Sequence, residues 1–471
     1  MVIWPQITGF LLVGYLAWAR SFGYLGVPPL FVGEIGLAAF LVLKPRVALG
    51  TWAASLLSRS PLNEFGVALF IFMMYGVWQV ARGVLNGSDL LYAMKFFVFN
   101  YYTLYIFLGM WIGLHAPDCL RKLIRVTGWV NGIYGIIFLL ALRHVGAHMP
   151  GSDVRLFSAP AGQTIVILGL LCFERDLRSV WFILMLNILV TLAWQVRAEW
   201  LGLVLGLLAW GLLTGRLHRV VVMGMAALTV LGMIEFLDIN LVSRTGGAVS
   251  LSETLGRFIA PINLELAKAI EPTAGRHVGT AEWRELWWKQ IWISAHSTPM
   301  LEAFGHGYGF DLFGLAPPEV RSGQEDWDVR TPHSVFYYAL GYTGWVGVVL
   351  FSLLQFTILR LLWRSFRVIR QPVGLVLWVL EMGMAFFEAS FETPLKAIPF
   401  YLLVGMAIAP ALQQTSTSYA RTGRAHALRP QFAQLRAEIG VAAGRNPGAL
   451  VLRPAVGRGD LGDEWPRGRA S

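Results

Sequence analysis

The sequence predicts an all-α integral membrane protein that crosses the bilayer about twelve times, with one large loop between helices 9 and 10. Of its 471 residues, 56% are hydrophobic and only 14% are charged. The mean hydropathy is +0.58, and so few charges cannot cover so much apolar surface in water. The hydrophobic residues also form runs close to the ~20 residues that cross a bilayer as a helix. These features exclude a soluble enzyme, a disordered protein and a disulfide scaffold.

Twelve apolar runs are interpreted as transmembrane helices, nine within residues 1–236 and three within residues 333–411. The stretch 180–214 would be about 52 Å long as a single helix, too long to cross once. Because Arg197 and Glu199 interrupt it, it is interpreted as a tight hairpin. The twelve runs are 2–19, 29–43, 65–81, 90–114, 126–142, 161–173, 179–196, 199–214, 219–236, 333–359, 373–390 and 395–411.

Lys and Arg in the short loops predict the orientation, because cytoplasmic loops carry an excess of both. With the N-terminus inside, 14 of them are cytoplasmic and 7 lie on the opposite side. Both termini are therefore expected in the cytoplasm, and the loop between helices 9 and 10 in the periplasm. The net charge of +10 follows this topology, so no nucleic-acid partner is expected. Residues 412–471 contain nine Arg and four acidic residues, which predicts a basic, disordered cytoplasmic tail.

The large periplasmic loop, residues 237–332, is too long for a simple connector, and long loops usually have a function. Its segment 279–294 predicts a helix with four tryptophans, which we expect to lie in the membrane interface. Anchoring alone would also account for these rings. Downstream, Gly305 and Gly307 permit positive φ. They indicate a turn more than a phosphate loop, because no strand precedes them and no Lys-Ser/Thr follows.

Three blocks of this sequence resemble the O-antigen ligase and polymerase superfamily. Residues 332–347 contain His333 at the start of a span, with Gly344 and Gly347 at offsets of 11 and 14, as in that family's signature. Upstream, Trp283-Arg284-Glu-Leu-Trp-Trp288, followed by Pro299 and a Gly-x-Gly-x-Gly stretch, is similar to the family's Arg-x-x-x-Trp … Pro … Gly-x-Gly block. Arg197 before Leu201-Gly202 is similar to its Arg-containing span junction. Departures from the family pattern include Ser334, which replaces the usual Asn.

The resemblance implies a glycosyltransferase of the bacterial inner membrane. Such an enzyme transfers a glycan from an undecaprenyl-diphosphate-linked oligosaccharide donor to a hydroxyl of a glycan or lipid-core acceptor, on the periplasmic face. Membrane lipids are then partners, and no metal or other cofactor is implied. Arg carries a permanent, bidentate charge suited to a diphosphate, and His takes up a proton near neutral pH. The expected catalytic residues are His333, Arg284 and Arg197, and the expected substrate-binding residues are Arg330, Trp288, Gly305 and Gly307.

Two other classes of protein fit part of the pattern. A transporter or flippase for lipid-linked oligosaccharide would also need many spans and buried charges. Its charged site would lie near the bilayer midplane, whereas Arg197, Arg284 and His333 are all predicted at one face. A structural assembly protein is the third alternative. Within the enzyme class, the residues leave polymerase and ligase equally open.

Overall fold

A computed structural model describes most of the chain as α-helix, with one antiparallel ribbon in which Gly26–Val27 pairs with Leu30–Phe31. The chain divides into a body, Val2–Gln414, and a second unit formed by Met1 and Thr415–Ser471. The predicted disorder of the tail concerns residues that lie mostly outside the described ranges. The described residues are 3–27, 30–57, 61–149, 154–174, 176–194, 196–237, 251–259, 264–271, 279–321 and 331–421.

The helices follow the order of the predicted spans, with additional short helices in the loops. The first predicted span is a broken helix, in which a π-helical turn, Gly14–Trp18, separates α1 from α2. Up to the large loop, the helices are α1 (Ile3–Val13), α2 (Ala19–Gly23), α3 (Val32–Leu43), α4 (Pro45–Leu57), α5 (Leu62–Leu85), α6 (Leu90–Phe96), α7 (Val98–Tyr101), α8 (Tyr105–His115), α9 (Cys119–Leu140), α10 (Gln163–Phe173), α11 (Trp181–Trp194), α12 (Arg197–Thr214) and α13 (Leu217–Phe236).

In the described residues of the loop and of the last three predicted spans there are eight further helices. Helix α21 continues ten residues beyond the predicted end of its span, into the segment predicted as tail. The helices are α14 (Leu251–Ile259), α15 (Leu264–Ile270), α16 (Gly279–Ala295), α17 (Pro299–Phe304), α18 (Pro318–Arg321), α19 (Val335–Ile369), α20 (Val373–Ala385) and α21 (Pro394–Arg421).

The helices have the length and surface of a polytopic membrane protein. Within the described ranges, six helical stretches are long and apolar enough to cross a membrane, and five shorter apolar helices accompany them. Large apolar side chains face outward along α13, where Val222 and Met225 are exposed by 62% and 65%. Such a surface is stable in lipid and not in water. The predicted all-α polytopic fold is confirmed, and the stretch 180–214 contains two helices, α11 and α12, instead of one.

Helix α16 differs from the predicted interfacial helix in one respect, because one of its tryptophans belongs to the core. The ring of Trp287 is fully buried, and its Nε1 donates a hydrogen bond of 2.8 Å to the carbonyl oxygen of Leu312. Trp292 and Ile293 are 41% and 52% exposed. The helix is therefore fixed to the rest of the loop and to α19 by one face, and presents apolar side chains on another.

Helix α19 is broken at Gly344, whose φ is 63° and ψ is −170°. The break removes the intrahelical donors of the carbonyls one turn earlier, and the glycine loop, residues 305–309, replaces them. The amides of His306 and Gly307 donate hydrogen bonds of 2.9 Å to the carbonyls of Gly341 and Tyr342. A Cβ on Gly305 would lie 2.5 Å from the amide nitrogen of Thr343. These glycines let the loop approach the broken helix closely.

The predicted topology can be tested by cysteine labelling in intact cells. With Cys119 and Cys172 replaced by serine, we expect an impermeant thiol reagent to label a cysteine placed at the exposed Ser297, because the loop is predicted in the periplasm. A cysteine replacing Ser471, in the predicted cytoplasmic tail, is expected to react only after the cells are lysed. Labelling in the opposite sense would reverse the orientation and move the candidate site to the cytoplasm.

Candidate active site

Three chain segments meet around His333, where the large loop, residues 237–332, joins α19. The turn Thr331–Ser334 precedes α19, helix α16 contributes Trp283, Arg284 and Trp288, and the loop between α20 and α21 contributes acidic side chains. Two of these segments lie more than 40 residues from His333 in the sequence. The site is therefore assembled by the fold and not by one motif.

Hydrogen bonds from two segments hold the turn that contains His333. The φ of His333 is 53°, an unusual value for a residue with a side chain. Its amide donates to the Thr331 hydroxyl oxygen at 3.3 Å, and that hydroxyl donates to Glu392 Oε1 at 2.7 Å. Trp288 Nε1 donates to the carbonyl oxygen of Pro332 at 2.7 Å. The backbone of His333 is thus fixed by α16 on one side and by the α20–α21 loop on the other.

The His333 imidazole is half-buried and lies near a cation. Burial and, to a smaller extent, the neighbouring charge of Arg284 lower the pKa of His333 to about 4, while Glu388 acts in the opposite direction. The edge of the ring meets the ring of Trp283, with centroids 6.0 Å apart. His333 is therefore neutral at physiological pH, which is the state that can accept a proton.

Arg284 lies beside His333 and reaches the α20–α21 loop. Its Nη1 donates a hydrogen bond of 3.1 Å to the carbonyl oxygen of Phe387, and its guanidinium carbon is 5.5 Å from the centre of the Trp283 ring. The same guanidinium acts electrostatically on His333. The structure thus brings together two of the three predicted catalytic residues, His333 and Arg284.

The α20–α21 loop supplies a buried charged cluster that sequence reasoning did not place in the site. Lys396 Nζ is 2.5 Å from Glu388 Oε2, with the lysine side chain 8% exposed. Glu392 is also buried, and burial raises the pKa of its carboxyl to about 7. Residues 373–390 were predicted as one span, but α20 ends at Ala385. Glu388 therefore lies in the loop beyond that helix, facing the site, and not inside the membrane helix.

Arg197 is the first residue of α12. Because α12 packs against α20, Arg197 lies toward the α20–α21 loop. A Cβ on Gly202 would lie 2.6 Å from Met384 Cγ, so the two helices touch near the end of α20. One turn toward Arg197, the buried Glu199 acts electrostatically on Lys396. The third predicted catalytic residue therefore lies at the end of a helix whose first turn adjoins the charged cluster.

The predicted substrate-binding residues do not all lie at the site around His333. Trp288 is at the site, where its ring stacks on Tyr337 at 5.0 Å while its Nε1 holds Pro332. Gly305 and Gly307 contact α19 at Gly341–Gly344. This contact is at least eight residues beyond His333 in the sequence. Their observed role is to dock the loop on α19. Arg330 lies outside the described residues.

A signal for the missed residues was present in the sequence. Glu388 and Glu392 lie four residues apart in an apolar region, where a carboxylate is a functional candidate, but the predicted span 373–390 extended through Glu388. Lys396 is one of the seven loop charges that the topology prediction places opposite the cytoplasm, and Thr331 gives no signal in the sequence. Within the described ranges, no group of three His, Cys, Asp or Glu side chains is arranged to hold a metal ion.

The fold and this site define a polytopic all-α membrane protein with a neutral histidine and an arginine at the mouth of its helix bundle. The family model described as O-antigen ligase matches residues 165–352 of the chain. The resemblance to the O-antigen ligase and polymerase superfamily is confirmed, and the family consists of membrane enzymes of the glycan ligase or polymerase type. The match includes Arg197, Arg284 and His333, and ends before the α20–α21 loop. No curated protein matches the chain.

Proposed function

We propose that this protein transfers a glycan from an undecaprenyl-diphosphate carrier to an acceptor hydroxyl on the periplasmic face of the bacterial inner membrane. The acceptor is a growing glycan or a lipid core. The proposal rests on the family match and on one structural observation above all. A neutral, half-buried imidazole and a guanidinium that acts on it electrostatically lie at the mouth of the bundle, where the headgroup of a membrane-embedded donor would enter.

In this mechanism the arginines bind the diphosphate. When the bond between the sugar and the diphosphate breaks, negative charge develops on the leaving oxygen. Arg284 and Arg197 can stabilise that charge with planar, bidentate donors whose protonation does not change. Donors already held in position are worth a few kcal/mol each in a transition state. The hydrogen bond from Arg284 to Phe387 keeps one of these donors oriented before the substrate arrives.

His333 acts as the general base. Its imidazole takes the proton from the acceptor hydroxyl while the hydroxyl oxygen attacks the anomeric carbon and the diphosphate departs with the bonding electrons. The imidazolium then releases its proton to solvent. In the free protein Arg284 weakens His333 as a base, and an anionic donor that neutralises Arg284 would raise the pKa toward the range in which a base is most effective. Binding of the donor would thus make His333 a stronger base for the reaction.

A single displacement of this kind inverts the configuration at the anomeric carbon. Incubation of the purified protein with a donor of known anomeric configuration, followed by NMR of the product, tests this. We expect the opposite configuration in the new linkage and undecaprenyl diphosphate released in equal amount. Retention would exclude a single displacement from the opposite face and, with it, the proposed role of His333 in that step. Movement of intact donor across a vesicle membrane without cleavage would indicate a flippase.

The low pKa of His333 makes a specific prediction about pH. Because the base must be unprotonated, and because kcat/KM reports the free enzyme, we expect kcat/KM to change little with protonation of His333 until the pH falls to about 4. A histidine of ordinary pKa would cause a loss already below about 6.5. An inflection near pH 7 would come from Glu392, and the Glu392→Gln variant is expected to remove it. An acid limb near 6.5 that persists in this variant would contradict the proposed environment of His333.

A further inference from the structure

The end of α19 far from His333 lines a cavity that the proposed reaction does not use. The cavity has a volume of about 960 Å³, and its lining includes Pro61, Arg360, Trp363, Arg364 and Arg367. Arg360 lies 16 residues, or roughly 24 Å of helix, beyond the break at Gly344, whereas His333 precedes that break. The cavity is therefore separate from the candidate active site.

Its lining is strongly basic. The three arginines follow each other at spacings of four and three residues, so they lie on one face of α19. The lining contains no carboxylate among the described residues. Arg360 forms an ion pair with Glu64 at the rim, which holds α5 against α19. The geometry thus presents three guanidinium groups to one concave space, which is lined by α19 and by Pro61, the residue before α5.

The position of the cavity along α19 indicates which part of the bilayer it faces. Trp345 and Trp363 are 18 residues apart, or about 27 Å of helix, which matches the ~30 Å hydrocarbon core of a bilayer. Tryptophans are enriched at both membrane interfaces, and Trp363 is 50% exposed. Arg364 and Arg367 then lie at the level of the lipid headgroups, on the face predicted to be cytoplasmic.

We propose that this cavity binds the phosphodiester headgroup of an anionic phospholipid. Guanidinium groups form bidentate hydrogen bonds with phosphate oxygens, and basic pockets between transmembrane helices are suited to such headgroups. The exposed Trp363 ring beside them can cover the glycerol and the first acyl carbons. Arginines that served only as topological signals would need neither a shared face nor a concave space.

The test compares two variants, each of which loses two positive charges from the side of the membrane predicted to be cytoplasmic. Arg364→Gln/Arg367→Gln removes two cations from the cavity and leaves the Arg360–Glu64 pair intact. Arg216→Gln/Arg219→Gln removes two cations from the α12–α13 turn, outside the cavity lining. Phosphatidylglycerol is titrated into the full-length protein in neutral detergent, and bound lipid is counted by native mass spectrometry. Phosphatidylcholine and glycerol 3-phosphate are the comparison ligands.

We expect the cavity variant to bind phosphatidylglycerol roughly 30-fold more weakly, which corresponds to about 2 kcal/mol for two arginines. The α12–α13 variant is expected to stay within about twofold of wild type, and Arg364→Lys/Arg367→Lys to fall between them, because it keeps the charge and loses the bidentate geometry. Equal loss in both glutamine variants, or no loss in the cavity variant, would overturn the proposal. Displacement of the lipid by equimolar glycerol 3-phosphate would indicate a soluble phosphate ligand instead.

Discussion

The His333→Ala variant is expected to lose about 10²–10⁴-fold in glycan transfer, which is the usual contribution of a general base. Expression, membrane insertion and binding of the lipid-linked donor are expected to stay close to wild type. The reason is that the fold holds His333 mainly through its backbone amide and the neighbouring Pro332 carbonyl, which alanine keeps. The measurement is transfer by purified protein, with donor binding recorded on the same samples.

His296→Ala is a matched control for this prediction. His296 belongs to the same loop and bonds to the carbonyl of Trp292, but it has no place in the proposed chemistry. We expect it to retain at least about half of the wild-type rate. If His333→Ala kept more than about a tenth of the wild-type rate, the loss would be smaller than the range for general-base catalysis. The base would then be another residue.

The Arg284→Lys variant is expected to lose about 10²-fold in turnover, although it keeps the positive charge. Lysine has no planar fork with which to hold two phosphate oxygens, and loss of one preorganised donor typically costs 10²–10³-fold. It also cannot reproduce both the bond to Phe387 and the contact with Trp283. Arg197→Lys is expected to act in the same direction, and turnover should be measured at saturating donor.

Arg321→Lys provides the control for charge and position. Arg321 is exposed on α18 of the same loop, so its replacement is expected to leave turnover unchanged. Near-normal turnover in both Arg284→Lys and Arg197→Lys would show that these arginines have only a topological or structural role. The diphosphate would then be bound by other cations, for example the buried Lys396.

The sequence predicted the membrane fold well because hydrophobicity and length determine it locally. Each predicted run contains a helix, since a chain in lipid must satisfy its backbone hydrogen bonds internally. Helix ends were less accurate. An apolar stretch around Glu388 looked continuous, whereas the structure ends α20 at Ala385. The break of α19 at Gly344 was equally hidden, because it depends on carbonyl partners from the distant glycine loop.

The candidate site was predicted in part. The residues within the family blocks were found because their spacing is local, and His333 and Arg284 do lie together. Thr331 and Glu392 were missed because their role depends on a contact between residues 61 positions apart. Hydrophobic periodicity contains no information about such a pair. Trp288 was expected to bind substrate, and the structure adds that its indole fixes the turn before His333.

The most direct test of the proposed function is the reaction itself. The purified protein is incubated with a lipid-linked oligosaccharide donor, with and without candidate acceptors, and the products are sized. We expect donor consumption that depends on an acceptor, a product larger by whole oligosaccharide units, and no such product from His333→Ala. Stepwise growth of the glycan would identify a polymerase, and a single addition to a lipid core would identify a ligase. An intact donor after incubation with every acceptor, while the folded protein still binds it, would contradict the proposal that this protein transfers glycans.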